Sequence, residues 1–191
     1  MAEKLYGKTE MFEDLSLHIL DIVENSIRAE AKNIKIKITE NLEKDLLVIE
    51  IEDDGKGMSK KMIERVLDPF VTTKPKHKVG LGLSFLAQAS RMANGDLKIK
   101  SEMGKGTKIK ATFQHSHIDR QPLGDMVETM MTLVTSNPKI NFIYQHQKNG
   151  KKYTFNTKIL KKKYENLSFS KALKIIRENL ETGLSKLNNG G

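Results

Sequence analysis

An acidic residue and two glycines follow a strand in the stretch Asp53-Asp54-Gly55-Lys56-Gly57-Met58. An ionised aspartate only accepts hydrogen bonds. The run before it, Leu46 to Glu52, is rich in β-branched residues and reads as a strand. An acceptor at a strand end, then glycines two positions apart, means that the backbone turns sharply and that something packs close to it. Taken alone, the same stretch also reads as an Asp-Gly hairpin turn. A second group with chemistry to offer is Gly80-Leu81-Gly82-Leu83-Ser84, which opens a helix whose free amides and positive dipole end suit a phosphate. Upstream, Asp21, Asn25 and Arg28 succeed one another at about one helical turn. Arg28 reads equally as a phosphate ligand and as a surface partner of Glu24.

The elements that must position these residues are visible in the apolar periodicity. Residues 12–31 place Leu15, Ile19, Ile22, Val23 and Ile27 at helical spacing, with Asn33 as the C-cap. Asn33 to Thr39 alternates strictly and pairs as a hairpin with the strand that ends at Asp53. Ser59 caps a short helix through about Val66. Residues 70–80 form a loop carrying Lys74, Lys76 and Lys78. A helix from Leu81 to about Ala93 is closed by Asn94-Gly95, and two alternating strands, 96–100 and 107–113, flank the Gly104–Gly106 turn. This order predicts a two-layer α/β sandwich with an antiparallel-rich sheet. Beyond residue 120 come a helix from Leu123 to Val134 with core methionines, a hairpin over 140–157 around Asn149-Gly150, and a helix from Ser168 to about Leu187. This C-terminal α-β-β-α extension follows without a Gly/Ser/Pro linker, so it is expected to pack on the first part.

Composition narrows the classes. The 191 residues are 38% hydrophobic and 30% charged, as in a globular chain, and the absence of cysteine excludes disulfides and thiolate metal sites. No apolar run approaches the ~20 residues of a membrane span, and none follows Met1, so a soluble cytoplasmic protein is expected. The net charge of +9 is unevenly placed. Residues 1–114 hold 20 Lys+Arg against 18 Asp+Glu, and residues 115–191 hold 13 against 6. Gly104-Lys105-Gly106-Thr107 is not a phosphate-binding G-x-x-x-x-G-K-[ST] loop, and the five histidines show no metal-ligand spacing. His115 and His117 are expected to face solvent.

In order and spacing, the segment at Asn25, the stretch at Asp53, Gly80–Ser84 and Gly104–Thr107 resemble the N box and the three glycine boxes of the GHKL ATPases. That superfamily takes in gyrase-type topoisomerases, Hsp90 chaperones, histidine kinases and MutL-type repair proteins. Asp68-Pro69-Phe70-Val71-Thr72-Thr73-Lys74 resembles the phenylalanine box of histidine kinases in particular. The resemblance covers about residues 12–114 and implies a Bergerat-type ATP-binding fold over residues 1–118, with a basic extension over 119–191. It implies ATP and Mg2+ as cofactors. Asp53 would accept from the adenine amine with help from Thr107, Gly55 and Gly57 would leave room, and Asn25 would coordinate magnesium. Gly80, Leu81, Gly82, Leu83, Arg28 and Lys74 would meet the phosphates beside Phe70. Residues 72–80 would form a lid ordered by the γ-phosphate.

Three roles follow as expectations. Histidine kinases carry a phospho-accepting helical hairpin before this domain; about a dozen residues stand here, and no His-Glu-x-x-x-Pro pattern occurs. The leading expectation is therefore a stand-alone kinase or nucleotide switch that binds ATP or ADP and acts on a partner protein docked on the basic extension. Lys148, Lys151, Lys152, Lys161, Lys162 and Lys163 would favour an acidic partner. A second expectation is an ATP-regulated module that binds nucleic acid or an acidic protein. A third is a MutL- or gyrase-like hydrolase with Asp21 as general base, one methylene shorter than the glutamate of those enzymes.

Overall fold

Ile34, Ile36 and Ile38 alternate with Lys35, Lys37 and Thr39, and in β1 (Asn33–Asn41) the three isoleucines are fully buried on one face. The structure, a computed structural model, describes residues 14–67, 81–164 and 167–188. β1 pairs antiparallel with β2 (Leu46–Asp53) as the alternation predicts, with Ile36 opposite Ile51. The far side of β2 pairs with β4 (Gly106–Gln114), which sets Thr107 opposite Asp53, and β3 (Leu97–Glu102) lies outside β4. The other side of β1 pairs in parallel with β5 (Asn141–Lys148), which turns through Asn149-Gly150 into β6 (Lys151–Asn156). The sheet therefore runs β3-β4-β2-β1-β5-β6 and continues without a break from the strands before residue 118 into those after it.

Helices pack on the isoleucine face. α1 (Leu15–Arg28) starts at Asp14, whose carboxylate accepts from Leu17 N (3.2 Å), and it buries Leu15, Ile19, Ile22 and Val23. It touches α3 (Leu81–Met92) and α4 (Met126–Ser136); α2 (Lys60–Leu67) lies against α3, and α6 (Phe169–Asn188) spans α4 and β6. Met126, Met130 and Met131 fill the core, as expected of them, with Phe142, Tyr144 and Phe155 from the last two strands. The result is a two-layer α/β sandwich with one continuous hydrophobic core.

Four local expectations need correction. α1 ends at Arg28, not near Asn33: the Ala29 amide closes the helix on Asn25 and Ile27 carbonyls, Glu30 takes a left-handed φ of 64°, and Asn33 already belongs to β1. α4 begins at Met126, where the Asp125 side chain accepts from Glu128 N (2.9 Å). The chain after β6 forms an additional short helix, α5 (Thr157–Lys163), capped by Asn156, whose side chain accepts from Lys158 N (2.9 Å). Within it Lys161 is not a free surface cation, because its amine donates to the carbonyls of Pro138 and Ile140.

His115 is the fourth correction. It is half-buried and donates from Nε2 to Glu40 Oε2 (3.0 Å), while His146 donates from Nε2 to Glu40 Oε1 (2.8 Å) and contacts the Tyr144 hydroxyl through Nδ1 (3.0 Å). This network ties the end of β1 to the chain after β4 and to β5. Burial pushes the Glu40 carboxyl up, but the bonds from His146 and His115, with the charges of His146 and Lys148, outweigh it and hold it down at about 2. A depressed carboxyl stabilises the fold above its unfolded-state value of about 4.3 and loses that contribution as pH falls towards 2. The stability of wild type against denaturant should therefore fall from about pH 4.3 down to 2. Glu40→Gln should be less stable at neutral pH and show a flatter acid limb; parallel pH profiles for the two proteins would contradict the assignment.

Candidate functional site

Asp53 is the last residue of β2, and the alternation of that strand turns it toward the helices, where it is 8% exposed. Its two oxygens are held separately. Oδ2 accepts from the Ser26 hydroxyl of α1 at 2.6 Å, and Oδ1 accepts from the Gly55 amide at 2.9 Å. Each carboxylate oxygen has capacity for a second donor, so the pair leaves room for a further N–H. The neighbouring Asp54 has a different task. It accepts from the amides of Lys32 (2.7 Å) and Asn33 (2.8 Å) and from the Asn33 side chain (2.7 Å), fixing the entry to β1. Burial works against the charge of Asp54, but these bonds prevail and lower its carboxyl.

Beside Asp53 lies a cavity of about 280 Å³. Ile22, Met58, Met62, Val66, Leu83 and Ile109 give it apolar walls; Asp53 and Thr107 supply polar atoms, and Asn25, Arg28 and Lys56 also line it. A slot of this kind, mostly apolar with a few convergent polar groups, is the usual form of a small-molecule site. Thr107 is fixed through Ser101, whose hydroxyl lies 2.8 Å from Thr107 Oγ1, donates to the Gly106 carbonyl (2.8 Å) and accepts from Met58 N (2.8 Å).

The glycines make room for the protein's own backbone. A Cβ on Gly57, whose φ is +67°, would lie 2.0 Å from the Glu102 carbonyl oxygen, and one on Gly106 would lie 1.9 Å from the Asp53 carbonyl oxygen. The β3–β4 turn is thereby pressed against the end of β2. Gly55 does not line the cavity; a Cβ there would meet Ala29 O at 2.8 Å.

Toward the start of α3 the polar groups form a chain. Arg28 Nη2 donates to Asn25 Oδ1 (2.9 Å), so Arg28 is engaged with Asn25. Asn25 Nδ2 donates at 3.4 Å to Asp21 Oδ2. A Cβ on Gly82 would fall 1.6 Å from that same oxygen, so the first turn of α3 closes onto the Asp21 carboxylate. Asp21 is not among the residues that line the cavity, whereas Leu83, one residue after Gly82, is. Phe70, Lys74, Gly80 and the expected lid over 72–80 lie outside the described residues, and Leu81 enters only as the first residue of α3. Among the described residues no group of three or more His, Asp or Glu side chains is arranged to hold a metal ion.

Asp21, Asn25, Arg28, Asp53, Gly57, Gly82, Leu83 and Thr107, all expected from the sequence, are brought together at this end of the sheet. Ser26, Ser101 and the methionines of the wall were not expected. The signal for Ser26 was its i+4 spacing from Ile22, which puts a hydroxyl on the buried face of α1.

A family model described as histidine kinase-, DNA gyrase B- and HSP90-like ATPase matches residues 13–117. Among curated proteins, the signal transduction histidine-protein kinase ArlS of Staphylococcus aureus is 34% identical over 111 residues, which is 56% of this chain and 24% of ArlS. The chain thus spans about a quarter of the length of the curated relatives it matches. Among solved structures, the Aquifex aeolicus MutL ATPase domain complexed with ADP aligns at a TM-score of 0.51 and 15% identity, covering 87% of this chain and 70% of that one. The N-terminal domain of a DNA repair protein aligns at 0.51 and 19% identity, over 76% and 52% of the two chains. Those two likenesses speak to the fold. No helix among the described residues is long and apolar enough to cross a membrane. With the match running over more than half of its length, the chain belongs to the histidine kinase-, DNA gyrase B- and HSP90-like ATPase family.

Proposed function

We propose that the chain binds magnesium-ATP and its ADP product at the Asp53 cavity, and works as a kinase or nucleotide switch on a partner protein. The observation that carries this reading is the Asp53 carboxylate, held by Ser26 and Gly55 with acceptor capacity to spare, beside a slot with apolar walls. A flat base with an exocyclic amine fits that donor–acceptor pattern. Asn25 Oδ1 would hold magnesium, which takes few protein ligands, and Arg28, now bonded to that oxygen, would turn to the phosphates. The ion, when bound, supplies the positive charge that a triphosphate requires. Similarity to a histidine-protein kinase over the nucleotide-binding part favours phosphotransfer over hydrolysis. In this proposal residues 1–118 bind nucleotide and residues 119–191 carry the partner surface around Lys148, Lys151, Lys152, Lys162 and Lys163. Incubation with γ-labelled ATP and magnesium, with and without cell extract, separates free phosphate from labelled protein.

Asp53→Asn replaces an acceptor by an amide and should leave the fold intact. Loss of one charge-assisted bond costs about 1.5–3 kcal/mol, so ATP affinity should fall about ten- to a hundred-fold. Calorimetric titration of a folded variant with undiminished affinity would remove the site assignment.

One observation favours a hydrolytic branch as the second reading: Asp21 lies against the start of α3 and next to Asn25. If Asp21 is the general base, Asp21→Asn should slow release of free phosphate by ~10²–10⁴-fold with a smaller effect on nucleotide affinity. Equal steady-state rates in the two proteins would leave Asp21 as a positioning residue for Asn25.

A further inference from the structure

The helices that cover the isoleucine face leave the opposite face of the sheet open among the described residues. Strand register arranges that open face in two rows. One runs Lys100, Lys108, Glu52, Lys35 and the other Lys98, Lys110, Glu50, Lys37. Strand spacing makes this patch about 14 Å wide, with about 7 Å between rows. Six lysines face two glutamates.

The glutamates are already engaged. Glu50 pairs with Lys37 (3.2 Å) and Glu52 with Lys108 (3.1 Å), while Lys35, Lys98, Lys100 and Lys110 form no ion pair among the described residues. Two like-charged pairs, Lys98 with Lys110 and Lys100 with Lys108, stand directly opposite each other on β3 and β4. Such an arrangement is destabilising in the isolated sheet. At the strand ends bordering it, a cavity of about 290 Å³ is lined by Lys100, Lys105 and Lys108 together with Glu52, Asp53 and Glu102.

We infer that this face binds the phosphate backbone of double-stranded DNA. A polyanion would relieve the repulsion between the opposed lysines. The face lacks what other occupants require. Phe113, Phe142, Tyr144, Tyr153 and Phe155 all lie at the alternate positions of their strands, on the helix side, so no ring of the described strands faces outward to stack the bases of a single strand. A protein partner needs a desolvated apolar or aromatic centre, and over four strands the two rows carry only lysine and glutamate, meeting a lone Ile143 and Gln145 on β5. Recognition of this kind is indifferent to base sequence and strongly salt-dependent. It is independent of the nucleotide reading.

The test is fluorescence anisotropy of a labelled DNA duplex with the full chain across a salt series. Wild type should bind with a log affinity that falls linearly with log salt, and Lys98→Gln/Lys100→Gln/Lys110→Gln should lower that slope by about one per lysine removed. The variant Lys98→Glu/Lys100→Glu gives a readout that loss of structure cannot imitate. It turns two repulsive cross-strand pairs into attractive ones, so its melting temperature should rise while its DNA affinity falls. Absence of salt-dependent DNA binding by wild type overturns the proposal. So does binding that survives both of these changes but is lost in Lys162→Gln/Lys163→Gln, and so does polyglutamate binding as tight as the duplex.

Discussion

A carboxylate removed from water must be given hydrogen-bond donors, and much of this structure can be read as the answer to that demand at Asp53. One donor comes from a helix, through Ser26, and the other from the turn that follows the strand, through Gly55. The 2.6 Å contact with Ser26 therefore joins the two layers of the sandwich at one point, and it sets where α1 lies along β2. Asn25 and Arg28 follow on that helix, so their position at the mouth of the cavity is inherited from the same contact.

Close approach of backbone to backbone does the complementary work. Gly57 meets Glu102, and Gly106 meets Asp53, at distances that no side chain would allow. The β3–β4 turn is held against the end of β2, which brings Thr107 opposite Asp53 and lets Ser101 orient it. On the other flank Gly82 lets α3 reach the Asp21 carboxylate. Three glycine-dependent contacts and one buried hydroxyl thus assemble residues that are far apart in the chain.

Much of this was legible in the residues. Strict alternation announced β1 and β4, a run of β-branched residues announced β2, and the ordered glycine stretches marked the candidate site and the family. What escaped notice depended on contacts between distant segments. The Glu40 network joins residues 40, 115 and 146, and nothing near Glu40 in sequence reveals that two imidazoles will reach it. α5 was hidden because Thr157-Lys158-Ile159-Leu160-Lys161-Lys162-Lys163 looks like a strand end followed by a charge run. Its start is decided by the Asn156 cap and by Lys161 reaching the carbonyls of residues 138 and 140. The spacing of Ser26 puts its hydroxyl on the buried face of α1, but its partner Asp53 lies 27 residues away and only the fold brings the two together.

The parallel pairing of β1 with β5 has a consequence for how the chain acquires its shape. Antiparallel neighbours can zip from a short turn, but Asn33 meets Asn141 only after more than a hundred intervening residues have been placed. While the polypeptide is emerging from the ribosome, β1 is available well before its partner exists. Its outer rim of amides and carbonyls, backed by three isoleucines, is then an open template for pairing with another nascent chain. Lys35 and Lys37, carried on that same strand, act as gatekeepers during this interval by putting charge beside the apolar run.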